Sequence, residues 1–171
     1  MTMNYTSAQA NKRLKKLTDE YVSLREKENR SKEFRAATGE NTESVRPAYD
    51  YADTQRRLAE LEQCIRRIKH AINLFNATHT VPGFDMTIDE MLVYIPQLTR
   101  RKNKLAAMKN RLPMERAEEQ YSRRSDLIDY SYANYDIAAV EADYERAVDE
   151  LARAQMALDV ANQQETFELP V

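Results

Sequence analysis

Glycine and proline are scarce in this sequence. Its 171 residues include two glycines, five prolines and no tryptophan. A protein made of many short strands needs glycine, proline and other turn-forming residues at frequent intervals. Their scarcity argues against a predominantly β fold and predicts a few long helices. The charged fraction of 32% is typical of helices that bury one stripe and expose the rest.

The sequence also has a single cysteine, Cys64, so no disulfide can form within one chain. The first residues, MTMNYTSAQANKRLKK, lack the apolar stretch of a cleaved secretion signal. The longest apolar run, 91–95, is far shorter than the roughly 20 residues that cross a bilayer. We therefore expect a cytoplasmic protein with no membrane span.

The charge balance predicts no nucleic-acid partner. Lys and Arg number 26 and Asp and Glu number 28, which gives a net charge of -2 and no long-range attraction to polyanions. The most basic stretch, 100–111, has no aromatic residue among its cations for stacking on bases. We expect it to form a solvated helix face.

No motif in the sequence predicts catalysis. There is no Glu-x-x-His pair, and His70 and His79 lack a Cys or His neighbour at metal-ligand spacing. There is no glycine-rich phosphate loop and no nucleophile elbow. We expect no metal ion and no cofactor, identify no catalytic residue, and consider an enzyme the less favoured class.

Hydrophobic periodicity predicts four long helices, at about 7–34, 47–78, 87–112 and 136–162. The second has the most regular heptad spacing, and its apolar positions are Leu58, Leu61, Ile65, Ile68, Ile72 and Phe75. Thr87 and Glu90 form a capping-box pattern at the start of the third helix, and Asp136 can cap the fourth.

These helices predict a mainly α fold, an elongated antiparallel helical bundle or coiled coil that forms one domain over 1–171. Period-two alternation in two further segments predicts short strands at about 127–133 and 166–170. We expect these strands, one near Tyr130 and one in the C-terminal tail, to pair as a β ribbon packed on the helices.

Several stretches resemble a family of small bacterial helical proteins called septicolysin-like, whose function is not established. The resemblance is carried by Ile65-Arg-Arg-Ile68, Ile72-Asn73 with Asn76, Thr87-Ile88 with Glu90, Tyr121-Ser-Arg123, and Asp136-Ile-Ala-Ala with Asn162. It covers most of the chain after Leu58. The chain departs from the family pattern at Pro96 and Gln163. The resemblance implies a helical fold and no mechanism.

The same resemblance selects a polar set as the candidate ligand or partner site: Asn73, Asn76, Tyr121, Arg123 and Asn162. Amide groups together with an arginine can bind an anion or a partner's backbone. Such residues also commonly bond to backbone atoms where helices end, and we favour that structural role.

The function predicted first is a non-enzymatic scaffold or protein-interaction module that forms a homo-oligomer, because apolar stripes on a narrow bundle favour burial against another chain. A small anionic-ligand or hydrolytic site built on the polar set is the alternative. A membrane-active toxin, suggested only by the family's name, is a second alternative.

Overall fold

The computed structural model describes residues 2–116 and 129–170, and it confirms that the protein is mainly helical. Two small antiparallel sheets accompany the helices. In chain order the elements are β1 Thr2–Thr6, α1 Ser7–Ser31, α2 Thr42–Val45, α3 Tyr51–Thr78, α4 Ile88–Lys109, β2 Met114–Arg116, β3 Tyr130–Tyr132, α5 Ile137–Gln164 and β4 Thr166–Pro170.

The chain divides into two compact units, each described separately below. The first comprises Met1–His79 with Val160–Val171, and the second comprises Thr80–Asp159. The prediction of one domain over 1–171, and of one four-helix bundle or coiled coil, stays a prediction.

Local capping determines where the helices begin. At the start of α4, the Thr87 hydroxyl accepts a bond from the Glu90 backbone N–H, and the Glu90 carboxylate accepts one from the Thr87 backbone N–H at 2.7 Å. The bond from the Thr87 backbone N–H, followed by one that the Thr87 hydroxyl donates to the same carboxylate, lowers the pKa of Glu90. Asp136 accepts bonds from the N–H groups of the first turn of α5. Both predicted caps are present.

The first two helices are shorter than predicted. Helix α1 ends at Ser31, and α3 begins at Tyr51, where the Asp50 carboxylate accepts the backbone N–H of Asp53 at 2.9 Å. The predicted start near 47 is therefore too early. The aspartate determines the start because its oxygen satisfies an N–H group that otherwise has no partner.

The predicted β ribbon is wrong in its pairing. The strand near Tyr130, β3, pairs with β2, and the C-terminal β4 pairs with the N-terminal β1. In the latter sheet Tyr5 lies opposite Phe167 and Met3 opposite Leu169. Strands β1 and β2 were not predicted. Met3 and Tyr5 alternate with polar residues in β1, a period-two signal that sequence analysis missed, whereas the three residues of β2 are too few to show one. The sequences of such short strands also do not specify which strand each one pairs with.

The first unit is built around an α1–α3 pair with the β1–β4 sheet beside it. Its core cluster joins Ala10 of α1, Ile68 and Ile72 of α3, and Leu169 of β4, all buried. The large side chains Leu14, Leu17 and Phe167 are partly buried against this cluster. Thr6 ends β1 and also caps α1, so the chain passes directly from strand to helix.

The second unit is built on α4 and the first part of α5, which meet at Leu105, Val140 and Ala147. Before α4, the Phe84 backbone N–H donates to the Val81 carbonyl at 3.1 Å, and Gly83 adopts a φ of 82°. Proline followed by a glycine with positive φ is the sequence of a type II turn. This turn accounts for the break between the second and third predicted helices.

Lys109 and Tyr144 are in contact at the end of this second core. Met108 packs against the cluster, and the Lys109 ammonium lies 4.2 Å from the centre of the Tyr144 ring. Steps of seven residues from Ile88 through Ile95 reach Lys109. A strict heptad would therefore put Lys109 in the apolar stripe of α4, where an unpaired ammonium is costly. The stripe shifts to Met108, and Lys109 keeps its charge over an aromatic face.

We expect Ile68→Asp to lower the melting midpoint by about 10 °C or more, because it places a carboxylate at a position that is 1% exposed. The matched control is Leu74→Asp on the same helix, where the side chain is 57% exposed, and it should shift the midpoint only slightly. Thermal unfolding followed by circular dichroism measures both. Equal midpoints would contradict the placement of Ile68 in the core.

Candidate functional site

The predicted polar set does not line one groove in the described residues. Asn73 is exposed on α3, while Asn76 and Asn162 are half-buried near the ends of α3 and α5. Tyr121 and Arg123 lie outside the described residues. Within residues 2–116 and 129–170, none of the three asparagine side chains forms a hydrogen bond, and Asn73 lines a groove between α1 and α3.

An aromatic cluster lies at the C-terminal end of α3, and sequence analysis missed it. The Phe75 ring stacks on His79 at 4.7 Å and on Phe167 of β4 at 4.5 Å between centroids. The His79 Nε2 atom is buried without a hydrogen-bond partner, 3.9 Å from a Glu165 carboxylate oxygen. An ion pair forms there only when the imidazole is protonated. The Asn76 Oδ1 atom is likewise buried without a partner.

A groove of about 610 Å³ runs between α1 and α3 in the first unit. Its lining residues are Thr18, Tyr21, Glu62, Ile65, Arg66, Lys69, His70 and Asn73. The Tyr21 hydroxyl donates to a Glu62 oxygen at 2.8 Å, and this bond, followed by burial, raises the pKa of Tyr21. The groove therefore has a polar end at Glu62 and a basic rim at Arg66 and Lys69.

This basic rim has a simple origin in the sequence. No Asp or Glu occurs in 63–78 of α3 or in 7–18 of α1, and these segments pack side by side. Sequence analysis missed the rim because the two acid-free segments are more than forty residues apart. The signal was present as two segments that contain several Lys and Arg residues and no Asp or Glu.

A second groove, of about 430 Å³, lies between α4 and α5 in the second unit. The Tyr94 hydroxyl donates to Glu150 at 3.3 Å, and Arg153 pairs with the other oxygen of Glu150 at 3.1 Å. Arg146 pairs with Asp143 in the same groove. Burial and the Glu150 charge raise the pKa of Tyr94. Arg101 and Asp149 also line this groove, and neither forms an ion pair within the described residues.

Helices α4 and α5 also have exposed faces opposite the residues that form their cores. The outward face of α4 consists of Val93, Pro96, Arg100, Lys104 and Ala107. The outward face of α5 consists of Ala142, Glu145, Asp149, Ala152 and Met156. Val93 is 57% exposed and Met156 is 70% exposed. Successive members are three or four residues apart, so each set forms one stripe.

In the two described stretches, 2–116 and 129–170, no three His, Cys, Asp or Glu side chains lie close enough together to hold a metal ion. No helix of that part of the chain combines the length and the apolar character needed to cross a bilayer. Cys64 is exposed on α3.

Comparison with known proteins shows the fold and assigns no function. No protein-family model matches the chain, and no curated protein matches it. The structure is similar to the crystal structure of a functionally unknown conserved protein from Corynebacterium diphtheriae, with a TM-score of 0.59 and 18% identity. The match covers 98% of this chain and 100% of that one. The likeness extends over the whole fold.

We expect His79→Phe to leave the melting midpoint unchanged or to raise it. The substitution removes a buried ring nitrogen without a partner and keeps the aromatic stack with Phe75. Phe167→Ala removes the other end of the stack and should lower the midpoint by several degrees. Thermal unfolding at pH 8 measures both. A large loss of stability in His79→Phe would show that the imidazole makes an essential polar contact.

Proposed function

We propose that this chain is a non-enzymatic helical-bundle interaction module that self-associates. The outward faces of α4 and α5 carry the proposal, since each exposes a large apolar side chain within a regular stripe opposite the core. A lone exposed apolar residue is normal on a protein surface. A stripe at helical spacing is the arrangement by which one helix packs on another.

The remaining expectations belong to the same proposal: a cytoplasmic protein of bacterial origin, a coiled-coil-like bundle, and membership of the septicolysin-like family. The single exposed cysteine and the balanced net charge support the cytoplasmic setting. The residues quoted for the family resemblance include Ile68 and Ile72 of the first core and the Thr87 and Glu90 cap. They support a shared helical framework.

A second candidate function is the binding of a small anion in the α1–α3 groove. Arg66 and Lys69 lie on its rim beside the Asn73 amide, and within the described residues neither cation forms an ion pair. Guanidinium, ammonium and amide groups together suit a carboxylate or phosphate. Of the described members of the predicted polar set, Asn73 lines this groove.

For self-association, we expect a molar mass above 20.0 kDa at high micromolar concentration, which falls toward that value on dilution. Light scattering on a sizing column measures this mass. Val93→Ser with Met156→Ser should shift the balance toward monomer, because it removes the apolar contacts of both outward faces. Leu74→Ser, at an equally exposed position on α3, is the control and should associate as the wild type does. A monomer at every concentration would refute the proposal.

For the anion site, we expect inorganic phosphate or a dicarboxylate at millimolar concentration to raise the wild-type melting midpoint. Binding to the folded state alone stabilises it by mass action. Arg66→Ala with Lys69→Ala should abolish this increase and leave the anion-free midpoint nearly unchanged, since both side chains are exposed. Arg56→Ala with Arg57→Ala on the same helix, outside the groove lining, is the matched control. An equal increase in all three proteins would rule out binding in the groove.

A further inference from the structure

Charge of one sign fills the middle of each outward face. Arg100 and Lys104 occupy the middle of the α4 face, and no Asp or Glu occurs in 91–111. Glu145 and Asp149 occupy the middle of the α5 face. In the part of the chain that the structure describes, none of these four side chains has an ion-pair partner.

Four other charged side chains near this part of α5 are paired, and Glu141 is exposed without an ion pair in the described residues. Arg146 pairs with Asp143, and Arg153 pairs with Glu150 at 3.1 Å. Both arginines therefore lie beside the outward face and are directed to other carboxylates. The charges of Glu145 and Asp149 remain available to a partner, as do those of Arg100 and Lys104.

The two faces also match in the order of their residue types. From its N-terminus the α4 face is apolar, then basic, then small, and from its C-terminus the α5 face is apolar, then acidic, then small. Antiparallel alignment pairs Val93 with Met156, Pro96 with Ala152, Arg100 with Asp149, Lys104 with Glu145, and Ala107 with Ala142. Steps of three and four residues in both helices keep all five pairs in register.

We propose that α4 of one copy packs antiparallel against α5 of a second copy through these two faces. This inference rests on the proposed self-association and names the surfaces that form it. Packing of two α5 faces would bring four carboxylates together, and packing of two α4 faces would bring four cations together, so like-with-like pairing is opposed by repulsion. The contact is head to tail, and it produces a ring if the rotation closes and an open filament if it does not.

The expected strength follows from the size of the contact. The matched stretch of α4, 93–107, is about 21 Å long at about 1.5 Å per residue. One helix against one helix buries less than the roughly 1,200–2,000 Å² of stable interfaces. Association should therefore require micromolar or higher concentrations. It should weaken as salt rises, because exposed ion pairs are screened.

The test uses two charge-reversed variants of the full chain, Arg100→Glu with Lys104→Glu and Glu145→Lys with Asp149→Lys. In the first variant both faces are acidic, and in the second both are basic. Sedimentation velocity should show that each variant alone associates at least about tenfold more weakly than the wild type. An equal mixture of the two should regain association, because each α4 face then meets an α5 face of opposite charge.

Two further variants control for a general effect of net charge and for poor folding of a reversed variant. Arg66→Glu with Lys69→Glu in the first unit makes the same change in net charge away from both faces, and it should associate as the wild type does. Arg100→Gln with Lys104→Gln removes charge without reversing it, and it should reduce both the association and its salt dependence even if a reversed variant folds poorly. Circular dichroism establishes the helix content of every variant.

The outcomes separate the two proposals. Wild type that associates, together with reversed variants that associate equally well, overturns the head-to-tail interface and leaves self-association standing. Loss of association in both variants without recovery in the mixture also overturns it, as does equal loss in the Arg66→Glu and Lys69→Glu control. A wild type that stays monomeric at all concentrations overturns both proposals. Recovery confined to the mixture supports the interface.

Discussion

Burial of Leu169 against Ala10, Ile68 and Ile72 joins three separate segments of chain in the first unit. Leu169 is 1% exposed, and it belongs to β4, which pairs with β1 at the other end of the sequence. A two-stranded sheet by itself is only marginally stable in water. The β1–β4 sheet persists because one of its faces covers the α1–α3 pair, and that pair in turn gains an apolar cover at its end.

Packing in the first unit also determines which polar atoms are buried without a partner and which charged side chains line a groove. Closing α3 against β4 buries the His79 ring nitrogen and the Asn76 amide oxygen without partners, which carries a free-energy cost that the stacked aromatic rings help to offset. Packing α1 on α3 forms a groove whose basic rim, Arg66 and Lys69, belongs to the acid-free segment of α3. The net charge of -2 does not reveal the basic rim, because that figure averages over surfaces of opposite sign.

Charge in the second unit is segregated by helix face. The groove between α4 and α5 holds two carboxylate–arginine pairs, whereas the outward faces of α4 and α5 hold basic and acidic side chains respectively. Paired charges contribute to the fold, and unpaired charges on an apolar stripe favour a partner. The similar protein from Corynebacterium diphtheriae shows that the fold exists elsewhere. A fold can serve unrelated functions, so the faces rather than the fold carry the functional argument.

The sequence by itself determined the features that depend on neighbouring residues: the four long helices, the caps at Thr87 and Asp136, the break at Pro82 and Gly83, and the alternation of Phe167 and Leu169. Caps, turns and periodicity act over a few residues, so their signals are local. Only the tertiary structure decided which strands pair, how the Phe75, His79 and Phe167 stack forms, and which surface is basic. These features depend on segments far apart in the chain. Short strands of three to five residues carry too little pattern to specify a distant partner, because pairing is selected by where packed helices place the strands.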